Sequence, residues 1–425
     1  MSKTLQQWLS HQETIPAKYT GDGLANMRKA ATNCHLFDAL KNKYIITIGG
    51  TNGKGSCVTF LEAILLAAKY KIGAYTSPHL LRYNERIRIN GKEVDDNTLC
   101  DAFNAIESCS NNVEAPLTYF ETGTLAALHI FTQHDLDILI LEVGLGGRYD
   151  AVNIVDSDIA IITTISLDHI QQLSDNREDI GNEKAGIMRA NKPIICGDFA
   201  PPQSIYQNAA KIGAQLYCIN KDFCYATQSG FWEWEHAKVK FTQLPLPHLP
   251  MQNAATALMA IAFMQQRFVI PIQAIQKGLQ TACLLGRLQI MQLQNVQIIL
   301  DVAHNQESAH LLAYNLTQMP CHGRTIAVTS MLKDKEIAAT FLELKNIVNT
   351  WHIGILDNPR GASQKQLENS ANSINLQEIF FYEDVTAAFK AAIATCKPCD
   401  RIIVFGSFYA VAEVLKLKFD SSHNG

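Results

Sequence analysis

The sequence predicts an α/β fold with two domains, each built on a mainly parallel sheet, the second smaller than the first. Short runs of β-branched and aliphatic residues alternate with longer stretches of helical spacing, which is the pattern of parallel strands connected by helices. The alternation weakens in the middle of the chain and then resumes, which indicates two domains. A glycine-rich loop with a lysine joins the first strand to the first long helix.

In the N-terminal domain, residues 1–285, the patterns predict four strands and four helices with one interruption. The predicted strands are Tyr44–Ile48, Ile72–Tyr75, Ile138–Val143 and Ile159–Ile165. The predicted helices are Val58–Tyr70, Asn97–Cys109, Glu121–Gln133 and Gln252–Gln265. Around Asp198–Gln243 aromatic and polar residues mix, so we expect a small antiparallel β excursion there.

The alternating pattern begins again near Arg287 and predicts a Rossmann-like α/β domain over residues 286–425, an ordinary domain size. Its predicted strands are Val296–Asp301, Thr325–Thr329, Trp351–Ile355 and Arg401–Phe405. Its clearest predicted helices are Glu307–Thr317 and Val385–Ala394. Ligands of such sheets collect beyond the carboxyl ends of the strands, so the chemistry is expected at those ends.

The composition excludes several classes of partner. The chain has 425 residues, of which 47% are hydrophobic, enough for the cores of two or three domains. Its 36 Lys and Arg nearly balance its 40 Asp and Glu, so no basic excess indicates nucleic acid or an anionic membrane. No apolar run approaches the ~18 residues of a membrane span, and the first residues lack a signal-peptide core. We therefore expect a cytoplasmic protein.

The cysteines fit that expectation. Eleven of them are an odd number in a long chain without a signal peptide. Most lie in apolar surroundings, as Cys57, Cys100 and Cys283 do, so the sequence predicts buried free thiols in a reducing compartment. Cys396 and Cys399 have the spacing of a redox or zinc pair. No second pair and no histidine lies near them, so we interpret them as a loop before a strand.

The loop after the first strand is the most informative segment. It runs from Gly50 through Thr51-Asn52-Gly53-Lys54-Gly55-Ser56. Its backbone N–H groups and the N-terminus of the next helix form an anion nest, and Lys54 adds a positive charge suited to phosphate. The usual pattern has glycine where Ile48 stands and a hydroxyl where Gly55 stands; here Ser56 carries the hydroxyl. Strand, lysine and helix agree, so the sequence predicts a P-loop-type domain that binds a nucleoside triphosphate.

Polar side chains at other strand ends could complete a magnesium site. Glu142 follows four aliphatic residues, as does an acid that holds Mg²⁺ beside phosphates, although an ordinary buried strand with a paired acid reads the same way. Ser77 could add a hydroxyl ligand, unless its Ser-Pro pair only starts a turn. His169 follows a strand, where a lone histidine is usually a loop residue. Because Mg²⁺ prefers oxygen ligands, His169 would be the atypical member.

Two further segments are less specific. The loop Gly144-Leu145-Gly146-Gly147-Arg148 permits a close approach of its backbone to a ligand. Lys184 lies among small residues. From the residues alone Lys184 would be an exposed lysine on a helix, because most lysines are exposed.

Together these motifs resemble the family of bifunctional dihydrofolate synthase/folylpolyglutamate synthases, within the Mur ligase superfamily. Eleven matches in order make the resemblance specific over nearly the whole chain. They are GTNGKGS at 50–56, SPHL at 77–80, LTYFE at 117–121, LEVGLGGR at 141–148, LDH at 167–169, EKAGI at 183–187, NAATAL at 253–258, GR at 286–287, DVAHN at 301–305, NPRGA at 358–362 and GSF at 406–408. The resemblance implies a first domain like the central domain of Mur ligases and a second domain that closes over ATP and binds glutamate.

The resemblance also implies roles for individual residues. The implied ATP contacts are Thr51, Asn52, Gly53, Lys54, Gly55, Ser56, Asn253, Arg287 and Asp301. The implied Mg²⁺ ligands are Ser77, Glu142 and His169. Lys184 matches a carbamylated lysine, and that modification turns a cation into an anion suited to a second Mg²⁺; with Lys54 and His169 it forms the implied catalytic group. The implied pterin contacts are Gly23, Leu24, Thr118, Tyr119, Phe120, Glu121, Tyr149, Asp150 and Ala151. His304 receives no assigned role.

Four departures from the family pattern stand out. The N-terminal pterin-contact segment often reads Asp-Leu-Gly-Leu, whereas this chain has Gly21-Asp22-Gly23-Leu24. Leu285 replaces a proline before Gly-Arg, Val152 replaces a threonine, and Gln306 replaces a proline.

The implied reaction is the ATP-dependent addition of L-glutamate to 7,8-dihydropteroate and to reduced folates. It passes through an acyl phosphate and releases ADP and phosphate. The expected partners are these small molecules, with no nucleic acid and no membrane, and the expected state is a monomer.

Four alternatives stay open at this stage. A Mur-type ligase acting on a UDP-muramyl precursor shares the loop and the chemistry, although LTYFE and SPHL favour the folate branch. The second alternative is a folylpolyglutamate synthase that lacks dihydrofolate synthase activity. A P-loop kinase or switch GTPase has no evident need for the second α/β domain. A non-catalytic nucleotide-binding module is disfavoured by the set of Ser77, Glu142, His169 and Lys184.

Overall fold

The structure is a computed structural model. It describes residues 3–15, 24–168, 174–293 and 296–421. The chain separates into two compact units. The first unit consists of Met1–Leu167 and Leu173–Ala282, and the second unit consists of Asp168–Gln172 and Cys283–Gly425.

The first unit contains ten α-helices and eleven strands in its described residues. The helices are α1 (Leu5–Glu13), α2 (Ala25–Asn33), α3 (Leu36–Leu40), α4 (Lys54–Ala67), α5 (Asp96–Cys109), α6 (Tyr119–Thr132), α7 (Arg177–Lys184), α8 (Gln203–Ile212), α9 (Met251–Met264) and α10 (Ile272–Thr281). The strands are β1 (Tyr44–Gly49), β2 (Ile72–Tyr75), β3 (Ile87–Ile89), β4 (Lys92–Glu93), β5 (Ile138–Glu142), β6 (Ile159–Ile162), β7 (Pro193–Cys196), β8 (Gln215–Cys218), β9 (Phe223–Gln228), β10 (Phe231–His236) and β11 (Val239–Pro245).

Eight strands of the first unit form one sheet in the order β4-β3-β2-β5-β1-β6-β7-β8. All neighbours in it are parallel except at the β4-β3-β2 edge, where the pairing is antiparallel. Every residue of β5 is buried, as expected where helices cover both faces of a parallel sheet. Because β2, β5, β1 and β6 run side by side in one direction, their carboxyl ends meet at the same edge, where ligands of such sheets bind.

The predicted antiparallel excursion is confirmed. Strands β9, β10 and β11 form a separate three-stranded antiparallel sheet. Trp232 and Trp234 of β10 are completely buried, and their indole N–H groups donate to Pro245 O at 2.9 Å and Ala255 O at 3.0 Å. Each indole therefore buries its ring without leaving its N–H group unpaired.

The second unit has six strands and five α-helices in the part of the chain that the structure describes. The strands are β12 (Gln289–Leu293), β13 (Val296–Leu300), β14 (Thr325–Thr329), β15 (Thr350–Gly354), β16 (Ile379–Tyr382) and β17 (Arg401–Phe405). The helices are α11 (Gln306–Gln318), α12 (Ile337–Leu344), α13 (Gln364–Ser373), α14 (Val385–Thr395) and α15 (Phe408–Ser421). The sheet order is β12-β13-β17-β14-β15-β16, parallel except for β12. The predicted α/β class is confirmed in both units.

The strand predicted over Ile159–Ile165 is too long, since β6 ends at Ile162. Beyond it the chain turns to the P-loop, and Thr163 Oγ1 donates to Asn52 O at 2.6 Å. Residues 163–165 fit the pattern of a strand because they are β-branched, but the hydrogen bonds of Thr163 join it to the P-loop. Strands β7 and β8, of four residues each, were not predicted because such short runs carry little periodic signal.

The prediction of buried free thiols is wrong for most of the cysteines. Cys34 and Cys109 form a disulfide with a Cα–Cα distance of 5.7 Å. Of the nine free cysteines only Cys57, Cys196 and Cys218 are buried. Cys34 follows α2 and Cys109 ends α5, so their pairing arises from helix packing across 75 residues of sequence, which local patterns do not reveal.

Among the described residues no helix has both the length and the apolar character needed to cross a bilayer.

A largely buried ion pair joins α4 to β3. Arg88 Nη2 lies 2.8 Å from Glu62 Oε2, and the two side chains are 18% and 10% exposed. We expect Glu62→Gln to lower the free energy of unfolding by about 3 kcal/mol, because Arg88 would keep its charge without its counterion. Urea denaturation measures the change. Glu93→Gln is the matched control, since its partner Arg82 is 66% exposed and the loss should stay below about 1 kcal/mol. Equal losses in the two variants would contradict the prediction.

Candidate active site

The P-loop requires glycine at position 53 for two reasons. Gly53 caps α4 with a φ of 89°, in the left-handed region. A Cβ atom there would lie 2.4 Å from Asn253 Oδ1. Asn253 is only 5% exposed, so its amide cannot move aside easily. The structure thus brings together two of the predicted ATP contacts, one from the loop and one from α9.

Lys54 folds back over the same loop. It is the first residue of α4, and its Nζ donates to Gly50 O at 2.9 Å and to Thr51 O at 3.1 Å. Gly55 and the buried Ser56 complete the first turn of the helix. The ammonium therefore lies beside the N–H groups at the start of a 14-residue helix, where both charge and helix dipole favour a phosphate.

The segment after β6 holds the loop in place. Thr51 Oγ1 donates to Ser166 O at 3.2 Å and accepts from Ser166 N at 3.1 Å. Asn52 N donates to Thr164 Oγ1 at 3.2 Å. Thr51 and Asn52, both predicted ATP contacts, are thus fixed by backbone and hydroxyl groups. These hydrogen bonds preorganise the loop.

Two of the predicted magnesium ligands lie together. Glu142 ends β5, is 4% exposed, and accepts a hydrogen bond from Ser77 N at 3.0 Å through Oε2. A buried carboxylate beside a hydroxyl-bearing residue offers hard oxygen donors, which fit Mg²⁺. The third predicted ligand, His169, lies outside the described residues. Within the described ranges no group of three or more His, Cys, Asp or Glu could hold a metal. Mg²⁺ is usually bound through one or two carboxylates and keeps several waters, so the Ser77–Glu142 pair fits it.

The thiol beside this pair is not a nucleophile. Cys57 is completely buried on α4, and its Sγ contacts Asn253 O at 3.5 Å. Burial raises the pKa of Cys57, and the negative charge of Glu142 raises it further. The thiol therefore stays protonated, and the thiolate needed for attack is absent at neutral pH.

Lys184 is buried, so its interpretation as an exposed helix lysine is wrong. It ends α7 and is 3% exposed. A Cβ atom at Gly147 would lie 2.9 Å from Lys184 Cα, and Arg148 N donates to Glu183 O at 3.0 Å. The glycine loop after β5 therefore packs directly against the end of α7, which places Lys184 at the loop that follows Glu142.

Asp150 organises the same glycine loop from the other side. Its Oδ2 accepts from Gly144 N and Leu145 N, both at 2.9 Å, and its Oδ1 accepts from Val152 N at 3.0 Å. Burial raises the pKa of Asp150 to about 6, although the three N–H donors oppose that shift. Asp150, which is predicted to contact the pterin, therefore also has a structural role, because its carboxylate fixes the conformation of the glycine loop.

This raised pKa predicts a pH-dependent difference between the wild type and Asp150→Asn. A carboxyl group whose pKa rises from 3.8 in the unfolded chain to about 6 in the folded chain stabilises the fold when it is protonated. This contribution is complete below pH 3.8 and is lost as the pH rises through about 6. Between about pH 8 and about pH 5 the unfolding free energy of the wild type should therefore gain about 1 kcal/mol relative to the variant. Urea denaturation at both pH values tests this. A constant difference would mean that Asp150 titrates near its ordinary pKa.

The predicted pterin segment begins α6 with a reciprocal cap. Thr118 Oγ1 accepts from Glu121 N at 3.4 Å, and Glu121 Oε2 accepts from Thr118 N at 2.8 Å. These two polar side chains therefore have a structural role in addition to the predicted one. The cap leaves Tyr119 and Phe120 at the start of the helix. A Cβ atom at Gly144 would lie 2.5 Å from Phe120 Cζ, so the segment meets the loop that Asp150 shapes.

The other predicted pterin contacts are spread more widely. Leu24 and Ala151 are buried in the hydrophobic core of the first unit, at 8% and 4% exposure. Tyr149 is 47% exposed. Gly23 lies outside the described residues.

In the second unit three motifs converge at the carboxyl ends of the strands. Asp301 Oδ2 accepts from Leu288 N and its Oδ1 from Ala303 N, both at 2.9 Å, and burial raises the pKa of Asp301. The Arg287 guanidinium lies 5.5 Å from the ring centre of Phe408, a cation–π distance. The predicted ATP contacts Arg287 and Asp301 thus lie on adjoining segments with the Gly-Ser-Phe motif.

An ionic cluster around His304 was not predicted from the sequence. His304 Nδ1 is 2.8 Å from Val302 O, and its Nε2 is 3.5 Å from Asp168 Oδ2. Asp168 also accepts from Asn305 Nδ2 at 3.1 Å and from Lys335 Nζ at 2.5 Å. Lys335 is 4% exposed. Nothing in the sequence near Lys335 distinguishes it from a surface lysine, so only an alignment of relatives could have found it.

Two family models match the chain, and curated relatives resemble it over nearly its whole length. Residues 48–263 match the family model described as the Mur ligase middle domain, and residues 286–408 match the one described as the Mur ligase glutamate ligase domain. A curated relative from Escherichia coli K12, dihydrofolate synthase/folylpolyglutamate synthase, is 40% identical over 422 residues, covering 99% of this chain and 97% of its own. A relative of the same name from Bacillus subtilis is 29% identical and covers 87% and 89%.

Solved structures show the same likeness. Escherichia coli FolC in complex with DHPP and ADP is 40% identical, with a TM-score of 0.93 and coverage of 99% of both chains. A bifunctional folylpolyglutamate synthase/dihydrofolate synthase with Mn, AMPPNP and L-glutamate bound is 42% identical, with a TM-score of 0.91 and coverage of 98% of both chains.

Proposed function

Because this chain belongs to the dihydrofolate synthase/folylpolyglutamate synthase family of Mur-type ligases, we propose that it adds L-glutamate to 7,8-dihydropteroate and to reduced folates. Family membership confirms the predicted class of enzyme, an ATP-dependent ligase that joins a carboxylate to an amine. It also bears out the predicted need for ATP and a divalent metal, since relatives bind ADP or AMPPNP and Mn.

One observation in this chain carries the proposal furthest. The preorganised loop with Lys54 lies at the same sheet edge as the Ser77–Glu142 pair, because β1, β2 and β5 are parallel neighbours. A site for phosphates beside a site for a hard cation is what phosphoryl transfer needs.

The proposed reaction has two steps. A carboxylate oxygen of the acceptor attacks the γ-phosphorus of ATP, which forms an acyl phosphate and releases ADP. The amine of L-glutamate then attacks the acyl carbon, an amide forms, and phosphate leaves. Activation is needed because a carboxylate is a poor electrophile. Lys54 would stabilise the charge that develops on the transferred group, and the loop would hold the phosphates in line with the attacking oxygen.

Mg²⁺ would be held by Ser77, Glu142 and His169, and when bound it supplies positive charge that neutralises the phosphate oxygens. Lys184, carbamylated, is the proposed anchor of a second Mg²⁺. Asn253 in the first unit and Arg287 and Asp301 in the second are the proposed further nucleotide contacts.

The remaining assignments are proposals of the same kind. The pterin is proposed to contact the 118–121 segment, Tyr149-Asp150-Ala151 and the chain at Gly23-Leu24. The second unit, with residues 286–425 as its predicted extent, is proposed to bind glutamate. The expected partners are small molecules and neither nucleic acid nor membrane, with the chain a monomer in the cytoplasm.

A product assay by mass spectrometry tests the proposal. The protein is mixed with ATP, Mg²⁺ and L-glutamate, and with either 7,8-dihydropteroate or a reduced folate monoglutamate. We expect a glutamate adduct from each acceptor. Product from the reduced folate alone would make the enzyme a folylpolyglutamate synthase only. No product from either acceptor would overturn the proposal and direct the search to UDP-muramyl precursors.

A further inference from the structure

Arg86 is a buried arginine, and none of the described acids forms an ion pair with it. The residue is 8% exposed at the end of the 3₁₀ turn Tyr83–Arg86. Its Nε donates to His79 Nδ1 at 2.9 Å. Its guanidinium carbon lies 5.1 Å from the ring centre of Tyr83 and 5.4 Å from that of Tyr119. Two aromatic faces and one imidazole therefore surround the cation.

The two neighbouring arginines, Arg82 and Arg88, have acidic partners. Arg88, two residues on, binds Glu62 through Nε and Nη2, and Arg82 binds Glu93. For Arg86, no described residue accepts a hydrogen bond from Nη1 or Nη2, and no described acid forms an ion pair with it. Burying an unbalanced cation is costly, and cation–π contacts recover only part of that cost. The guanidinium is thus ready for an anion that the described residues do not supply.

A second polar group beside it also lacks a partner. The hydroxyl of Tyr83 is buried, with the residue 3% exposed, and makes no hydrogen bond to the described residues. It lies against α6, because a Cβ atom at Gly123 would be 2.3 Å from it. An unpaired buried hydroxyl is unusual in a native structure, and this one belongs to the ring that Arg86 contacts.

The location connects Arg86 to the acceptor site. Tyr119, on which it stacks, belongs to the segment that we propose to contact the pterin. Tyr83, the other ring that Arg86 contacts, lies 5.9 Å from the Tyr119 ring between ring centres. Arg86 therefore belongs to the aromatic cluster that includes the start of the predicted pterin segment.

We propose that Arg86 is a substrate-binding residue that holds a carboxylate of the acceptor. This inference rests on the proposed function. Because Nε donates to His79, the edge that remains for a ligand is the one formed by Nη1 and Nη2, whose N–H groups match a carboxylate in a bidentate fashion. The carboxylate has two possible sources. One is the benzoate carboxylate of dihydropteroate, which the reaction activates, and the other is the α-carboxylate of the glutamate that a folate already carries.

Binding measurements with paired ligands test the proposal and separate the sources. Dissociation constants are measured by calorimetry for the wild type and for Arg86→Met. One ligand pair is dihydropteroate and its analogue without the carboxylate. The other is tetrahydrofolate and its analogue in which 4-aminobutyrate replaces glutamate, so that only the α-carboxylate is missing. For each ligand pair, the two ligands and the two proteins give four dissociation constants that form a double-mutant cycle. The cycle isolates the contact between Arg86 and the carboxylate that distinguishes the two ligands.

We expect the wild type to prefer the complete ligand of one pair by about tenfold to a hundredfold, the range of a charge-assisted contact. Arg86→Met should lose that preference, and Arg86→Lys should retain part of it because the charge remains. Loss in the first pair assigns the benzoate carboxylate, and loss in the second assigns the α-carboxylate. Unchanged preferences in both pairs would overturn the inference.

Two controls keep these outcomes distinct. Arg82→Met removes an exposed arginine from the same turn, with its side chain 66% exposed, and should change neither preference. Circular dichroism and urea denaturation show whether each variant folds; if Arg86→Met does not fold, Arg86→Lys decides the test through its weaker preference. Wild-type protein that binds neither acceptor would overturn the proposed function, and the inference with it.

Discussion

Lys54→Ala is expected to reduce turnover by about a thousandfold while the protein stays folded. The ammonium lies against Gly50 O and Thr51 O, directly beside the N–H groups that begin α4. Its removal takes away the charge that would stabilise the transferred phosphoryl group, an effect of the size measured for other transition-state donors. Alanine is a good helix former at the first position of α4, so the fold should persist. Phosphate release and urea denaturation measure the two effects.

Lys69→Asn is the matched control for Lys54. Lys69 is exposed just beyond the other end of α4 and has a φ of 70°, which asparagine tolerates. This variant loses the same charge just beyond the C-terminal end of the same helix and should keep full turnover. If Lys54→Ala retains turnover comparable to the control, the proposed role of the lysine is wrong.

Lys184→Ala is expected to lower turnover by about a hundredfold, and short-chain carboxylic acids should partly restore it. Lys184 is 3% exposed at the end of α7, against the backbone of Gly147. If its side chain is a carbamate that anchors a metal, alanine removes that anion and leaves a cavity. Formate or acetate can enter such a cavity and supply a carboxylate in its place, an oxygen ligand that Mg²⁺ accepts. Turnover is measured with increasing concentrations of each acid.

Lys192→Ala tests whether the restoration is specific. Lys192 is 46% exposed and pairs with Asp158 in the same unit, so this variant should keep its turnover and respond to neither acid. A ¹³C NMR signal from labelled carbon dioxide, present in the wild type and absent in Lys184→Ala, gives independent evidence. If neither acid restores turnover and no ¹³C signal is observed, Lys184 is an unmodified buried lysine.

Much of the fold and part of the candidate site could be predicted from local sequence. Strands β2, β14 and β17 begin and end at the predicted residues. Runs of aliphatic residues bounded by turn signals mark buried parallel strands without reference to the rest of the chain. The P-loop was found for the same reason, because its glycines, lysine and following helix are contiguous. The pairing of Ser77 with Glu142 was implied by the resemblance, whereas the adjacency of β2 and β5 that produces it is a feature of the folded sheet.

Other features could not be predicted, because they depend on groups distant in sequence. The disulfide joins residues 75 positions apart. The burial of Lys184 depends on Gly147 in another loop. Asp150 was predicted as a substrate contact, but its bonds to Gly144 N and Leu145 N depend on how the chain turns between them.

The sequence alone determined the α/β class, the phosphate-binding loop and the resemblance to a ligase family, since each is written in contiguous residues or in their order. Only the tertiary structure decided which charges are balanced. Arg86 and Arg88 are two residues apart and look alike in the sequence, yet Arg88 meets Glu62 from α4 and Arg86 meets aromatic rings. The physical reason is that a side chain's counterion is chosen by packing across elements, and packing is a property of the folded chain.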